Sequence, residues 1–236
     1  MSAYVANVDL AKLEVSRGDR IVDLGCGEGV LAELLARAGL HVTGVEPAAY
    51  LRERFGARLA PVDHESRVVD GLADNLPFGD GEIRAVVCTE VLEHVPDPEA
   101  ALRELRRVMA PASVICLSVP TAPTELLFWR LHPRYAENAT HLRIFTKPEL
   151  QRLLDVCGFD VVAWEGRNFY AALLWTFHAL LRTPSDHTGQ ILGNRWMTRT
   201  VDAGWRALQL LHLASPVEAL GNRLWPKSWY IYARRR

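Results

Sequence analysis

Short β-branched runs alternate with stretches in which apolar residues recur every three or four positions, and the alternation persists from about residue 20 to about residue 165. Arg20–Leu24, His41–Val45, 67–70, Ile83–Cys88 and Val114–Val119 read as strands, since each is short, apolar and bounded by turn residues. Between them, Val30–Ala38 has helical spacing, with Leu31, Leu34 and Leu35 on one face and Gly39 as a stop. A second helix is expected at 48–59. Asp97-Pro98 is a cap and first-turn pair for a third helix through Met109. Ahead of the first strand, Val5, Val8, Leu10, Leu13 and Val15 predict a helix over residues 4–16.

Past Pro120 the pattern becomes irregular, rich in proline and aromatic residues. Thr146-Lys147-Pro148-Glu149 then reads as a capping box for a helix to Val156, ended by Gly158. Phe159–Trp164 is a sixth strand, and Ser228–Ala233 has strand composition. Strands alternating with helices at these lengths predict an α/β fold, a doubly wound and mostly parallel sheet. Residues 168–225 stand between the last two strands as an insertion of helices. The expected organisation is therefore a core over 1–167, a helical insertion over 168–225 and a returning strand over 226–236.

Composition sharpens this division. The chain has 236 residues, 49% of them hydrophobic, enough for one large domain with an appendage. A net charge of −1 provides no global field for nucleic acid, and no nucleic-acid partner is expected. Residues 1–170 carry 18 Lys and Arg against 25 Asp and Glu, whereas residues 171–236 carry nine against three. Cys26, Cys88, Cys116 and Cys157 have neither disulfide-framework nor zinc spacing, so reduced thiols are expected. Met1–Asp9 lacks the basic-then-apolar build of a signal peptide, which points to a cytoplasmic protein.

The chemistry concentrates at Val22-Asp23-Leu24-Gly25-Cys26-Gly27-Glu28-Gly29, where a strand runs into a glycine turn and a helix. Such a turn admits a ligand to backbone amides because no Cβ intervenes. A dinucleotide site would want a third glycine at position 30, where this chain has Val30. Asp23 and Glu28 flank the turn and would repel a pyrophosphate, while attracting a ligand with an ammonium and a sulfonium. S-adenosylmethionine has both.

This stretch resembles motif I of the class I S-adenosylmethionine-dependent methyltransferases. The likeness continues, in the family's order and spacing, through His41–Pro47, Leu72–Phe78 and Thr89–Val95, covering roughly residues 18–165. It implies a seven-stranded sheet whose last strand, near 228–233, is antiparallel. It also implies cofactor contacts at Asp23, Gly25, Cys26, Gly27, Gly29, Glu46, Pro47, Leu72, Ala73, Cys88 and Thr89. Asp23 would meet the methionine ammonium, directly or through water. Glu46 ends the second strand, 19 residues after Gly27, where a carboxylate can accept both ribose hydroxyls. Adenine is implied at Leu72-Ala73. Leu72 stands where the family often has an acid, and Asp74 or Asp70 is a substitute partner for the adenine amino group.

The expected reaction is methyl transfer to a small-molecule acceptor, at a hydroxyl first and at nitrogen or carbon of a lipid-like or natural-product acceptor second. An NAD-type oxidoreductase and a silent cofactor-binding module are the rivals. If 90–94 forms a helical turn, Glu90, Glu93 and His94 share a face and could hold a divalent cation such as Mg²⁺. The Glu-x-x-Glu-His pattern resembles that of ubiquinone-biosynthesis and small-RNA 2′-O-methyltransferases, in which it binds metal. His141 is a further ligand candidate, and without a metal His94 or His141 is the candidate general base. Within the insertion, Phe169–Leu181 is nearly all apolar yet too short to span a bilayer. Val201, Trp205, Leu208 and Leu211 or His212 recur at helical spacing amid Arg182, Arg195, Arg199, Arg206 and Arg223. Residues 168–214 thus suit plain packing, a peripheral membrane contact or a cover over an apolar or anionic acceptor.

Overall fold

The computed structural model describes residues 4–131, 141–180, 203–206 and 208–236. Its main sheet has seven strands: β3 (Arg20–Leu24), β4 (His41–Val45), β5 (Arg67–Val69), β6 (Ile83–Thr89), β7 (Met109–Pro120), β8 (Phe159–Arg167) and β9 (Ser228–Arg235). The order across the sheet is β5-β4-β3-β6-β7-β9-β8. Pairing is parallel from β5 through β7. The Lys227 N–H bonds the Arg167 carbonyl at one end of the last pair, and the Arg236 N–H bonds Gly158 at the other. β9 therefore runs antiparallel to β8, and the fold class read from the sequence holds.

The crossover helices are α1 (Val30–Arg37), α2 (Ala49–Leu59) and α3 (Pro98–Val108). Asp97 caps α3 as its sequence predicts, its carboxylate accepting from the Glu99 and Ala100 amides. In α1 the buried face is Ala32, Leu35 and Ala36, while Leu34 and Val30 face solvent. Small alanines let this helix lie close to the sheet, so the leucine count misidentified its inner face. The core on this side gathers Ile21, Val42, Phe55, Leu59, Val87 and Cys116.

The expected helix over 4–16 does not form. A hairpin of β1 (Tyr4–Val5) and β2 (Val8–Asp9) stands there, with Ala6 and Asn7 at φ 45° and 74°. Two positive-φ residues between paired strands form a tight turn compatible with strand twist. Asp9 then ends the hairpin by accepting from the Ala11 and Lys12 amides, a local bond that competes with helix. Another correction falls at 121–131, read as irregular. α4 (Ala122–Leu131) forms there, opened by Thr121 and with Pro123 in its first turn.

The chain divides into two compact units, Met1–Val119 with Lys147–Trp164 and Tyr230–Arg236, and Pro120–Thr146 with Glu165–Trp229. The first contains α5 (Lys147–Val156). The second contains α4, α6 (Phe169–Leu180) and α7 (Ala214–Leu224). The expected boundary at 167/168 thus misses 120–146, because the Phe128 and Trp175 rings meet 5.4 Å apart and join α4 to α6. Arg182, Arg195, Arg199 and Val201 lie outside the described residues. Among the described residues no helix is long and apolar enough to cross a membrane.

Candidate active site

At the carboxyl ends of β3 and β4 the backbone turns through Gly25, Gly27 and Gly29 at φ 70°, 53° and 82°. Each serves differently. A Cβ on Gly25 would stand 2.5 Å from the Val91 Cγ2, and one on Gly29 would stand 2.8 Å from the Phe55 ring. Gly27 has nothing within 4 Å of its Cβ position, so its role is conformational and its outer face is open. Glu46 is buried at the end of β4. One of its carboxylate oxygens accepts from the Gly27 amide at 3.1 Å and the other from the Ala48 amide at 2.9 Å. The acid and the turn hold each other in place.

Asp23 lies below this turn and is 2% exposed. Among the described residues its Oδ2 has no hydrogen-bond partner, and burial pushes its pKa up to about 7. A carboxylate buried without a partner is costly, and its cost falls when a cation arrives. The cleft beside it has a volume of 430 Å³, within the usual range for a small-molecule site. Gly25, Glu46, Pro47, Leu72, Ala73, Asp74, Glu90 and His94 line it.

Leu72 is 55% exposed at the cleft. Asp74 lines the cleft as well, whereas the Asp70 carboxylate is held by Arg52 at 3.1 Å. Cys26 and Cys88 turn their thiols into the core, and burial raises both thiols' pKa. Thr89 ends β6 in register with Ser118 of β7.

Glu90 follows at φ 54°. That left-handed residue breaks the helical register, and the turn that closes runs from the Val91 carbonyl to the His94 amide, 2.9 Å apart. Glu90 consequently does not share a helical face with Glu93 and His94. Its Oε1 accepts from the Ser118 hydroxyl at 3.2 Å. Glu93 is buried, and its carboxylate comes within 4.8 Å of a His94 ring nitrogen. In the second unit, His141 Nδ1 lies 2.7 Å from a Glu125 oxygen that also accepts from the Trp129 indole at 2.9 Å.

Sequence reasoning missed Ser118 and Glu125. Each had a signal. Ser118 is the polar interruption of the run Val114–Val119, and Glu125 stands alone before Leu126-Leu127-Phe128-Trp129. Both are buried.

This chain belongs to a family described as a methyltransferase domain, which matches residues 3–163. The family implies S-adenosylmethionine as cofactor, and the oxidoreductase reading finds no support. The ubiquinone biosynthesis O-methyltransferase of Pseudomonas aeruginosa (strain UCBPP-PA14) is 34% identical over 116 residues, covering 47% of this chain and 49% of that protein. That of Xanthomonas campestris pv. campestris (strain B100) is 33% identical over 172 residues, covering 64% and 70%. The chain spans about half the length of the Pseudomonas relatives it matches. A SAM-dependent methyltransferase structure from Methanosarcina mazei superimposes with a TM-score of 0.62 at 18% identity, covering 97% of each chain. The cyclase SpnF does so with 0.60 at 17% identity, over 95% of this chain and 77% of that one. These two likenesses concern the fold, which hosts more than one chemistry.

Proposed function

We propose that this protein transfers a methyl group from S-adenosylmethionine to a hydroxyl of a small-molecule acceptor. The carrying observation is Asp23 Oδ2, buried and without a hydrogen-bond partner among the described residues, behind an open glycine turn. A cationic ligand relieves that cost, and a pyrophosphate would increase it. When bound, S-adenosylmethionine supplies a methyl carbon on a sulfonium, an electrophile that needs no further activation. The chain's own task is then to bind, align and remove a proton.

Asp23 meets the ammonium, and Glu46 accepts the ribose hydroxyls through lone pairs left after its two amide bonds. Leu72, Ala73 and Asp74 would hold the adenine and Pro47 the ribose, since all four line the cleft. His94 lines the cleft and is the general base for the acceptor hydroxyl. His141, whose Nδ1 lies 2.7 Å from a Glu125 oxygen, is the other base candidate. Oxygen is favoured as the methylated atom because the relatives at 33–34% identity are named O-methyltransferases. As for Mg²⁺, Glu90 gives one oxygen to Ser118 and stands off the face of Glu93 and His94. Glu90 is not among the described residues whose ligand atoms cluster with those of Glu93 and His94, and no step is routed through a metal.

The test is a titration of S-adenosylhomocysteine into wild type and Asp23→Ala, with methyl transfer from labelled S-adenosylmethionine to catechol as a hydroxyl probe. Micromolar binding lost in Asp23→Ala, together with O-methylated product, supports the proposal. Binding of NAD in preference to S-adenosylhomocysteine overturns it.

A second feature bears on the acceptor's surroundings. In the second unit Leu210, Leu211, Leu213, Leu220 and Leu224 are exposed, Leu210 at 82% and Leu224 at 72%. Arg206 and Arg223 are exposed beside them. Glu218 is half-buried and accepts from the Tyr170 amide. Exposed leucines with exposed arginines suit a peripheral contact with an anionic lipid surface, where an apolar acceptor would reside. Co-sedimentation with phosphatidylglycerol vesicles but not phosphatidylcholine vesicles is the expected result.

A further inference from the structure

Four residues far apart in the sequence join around Glu90 within the first unit. The Glu90 amide donates to the Ser118 oxygen at 3.2 Å, and the Ser118 hydroxyl donates to Glu90 Oε1 at 3.2 Å. The Tyr230 hydroxyl interacts with the Ser118 and Asn7 side chains. Ser118 and Tyr230 are both buried.

A serine hydroxyl has one proton and two lone pairs. Its proton goes to Glu90, so the Glu90 amide and the Tyr230 hydroxyl must both donate to its oxygen. The bonds between Glu90 and Ser118 thus run both ways, amide to hydroxyl oxygen and hydroxyl to carboxylate. Chains of this kind strengthen along their length. Burial and the nearby Glu90 charge keep the Tyr230 phenol protonated, as the donor role requires.

Two other observations agree. Glu90 has a left-handed backbone at φ 54°. Such conformations persist where surrounding contacts over-determine them. Glu90 also lines the cleft, so the chain terminates at the ligand site.

We infer that Tyr230 and Ser118 are positioning residues that fix the Glu90 carboxylate in the cleft, where it accepts a hydrogen bond from the methyl acceptor's hydroxyl. This rests on the O-methylation proposed above and adds a subsite to it. It also gives the N-terminal hairpin a function, since Asn7 anchors the far end.

The test compares wild type with Tyr230→Phe, Ser118→Ala and Ser118→Thr. Crystal structures with S-adenosylhomocysteine report the Glu90 position, calorimetry its affinity, and methyl transfer to catechol the kcat and KM. In Tyr230→Phe and Ser118→Ala, Glu90 should leave its left-handed conformation. Catechol kcat/KM should fall tenfold to a hundredfold, while S-adenosylhomocysteine affinity and Tm stay near wild type. Ser118→Thr, which keeps the hydroxyl, should recover to within about threefold. A Glu90 that remains in place in Tyr230→Phe overturns the inference, as does a Ser118→Thr variant as impaired as Ser118→Ala. Losses confined to Tm overturn it too. Should wild type bind S-adenosylhomocysteine yet leave catechol unmethylated, the O-methylation reading fails, and the Glu90 displacement still decides the positioning claim.

Discussion

The two halves of the cleft are held by different means. Around β3 and β4 the backbone does the work. Glycines at positive φ shape the turn, the Gly27 and Ala48 amides clamp Glu46, and Asp23 is the buried carboxyl beneath. Around β6, β7 and β9 the side chains do it, with Ser118 and Tyr230 holding Glu90. A backbone-built half suits an invariant ligand, because its geometry comes with the strand–turn–helix itself. A side-chain-built half can be altered one residue at a time. That division is what a common methyl donor and a variable acceptor would require.

The comparison breaks most sharply at the base. His94→Gln should lower kcat by roughly 10²- to 10⁴-fold with S-adenosylhomocysteine affinity unchanged, read by initial rates and calorimetry. Equal loss in Glu125→Gln with His94→Gln unaffected would move the base to His141. Turnover that survives a chelator agrees with the geometry of Glu90, and restoration by added Mg²⁺ after chelation would contradict it.

Next in size is Asp23. Asp23→Ala should weaken S-adenosylhomocysteine binding by about 100-fold, the usual scale for removing one member of a buried charge pair. The pH dependence has a definite sign. The unfolded side chain ionises near 3.8 and the folded one near 7. The benefit of the folded state's tighter proton is complete below about pH 4 and is lost as pH rises to 7, a change of order 4 kcal/mol. Asp23→Asn should flatten that part of the stability profile, measured by urea unfolding from pH 4 to 8. Cofactor binding near pH 6 should release a proton in wild type and none in Asp23→Asn.

The glycines sharpen the contrast. Gly25→Ala drives a methyl into Val91 at 2.5 Å and should cost about 2–4 kcal/mol of stability. Gly27→Ala meets no protein atom and should cost only about 1 kcal/mol while weakening S-adenosylhomocysteine binding. Equal stability losses at the two would mean the turn is packing alone. Smallest of all, Leu220→Ser and Leu224→Ser should change stability by less than about 0.5 kcal/mol, since both side chains are exposed. Vesicle association should nonetheless weaken several-fold.

The backbone-built half could be read in advance. Val22–Gly29 and Glu46 are local signals, and their meaning needs only the strand–turn–helix that they themselves encode. The other half could not. Glu90 was visible, yet its partners at 7, 118 and 230 lie up to 140 residues away in the chain. The Glu90–Glu93–His94 face failed for a local reason, a left-handed residue that helical spacing assumes away. The N-terminal helix failed similarly, because Asp9 found closer amides than a helix would give it.

The strands and crossover helices between residues 20 and 120, the parallel sheet and the glycine turn were thus determined by the sequence alone, since periodicity, glycine and capping chemistry act over a few residues. Which carboxylate is left unsatisfied, which is held by two amides and which is fixed from another strand were decided only by the tertiary structure. Burial and hydrogen-bond partnership are properties of chain segments brought together, and no short window of sequence contains both partners.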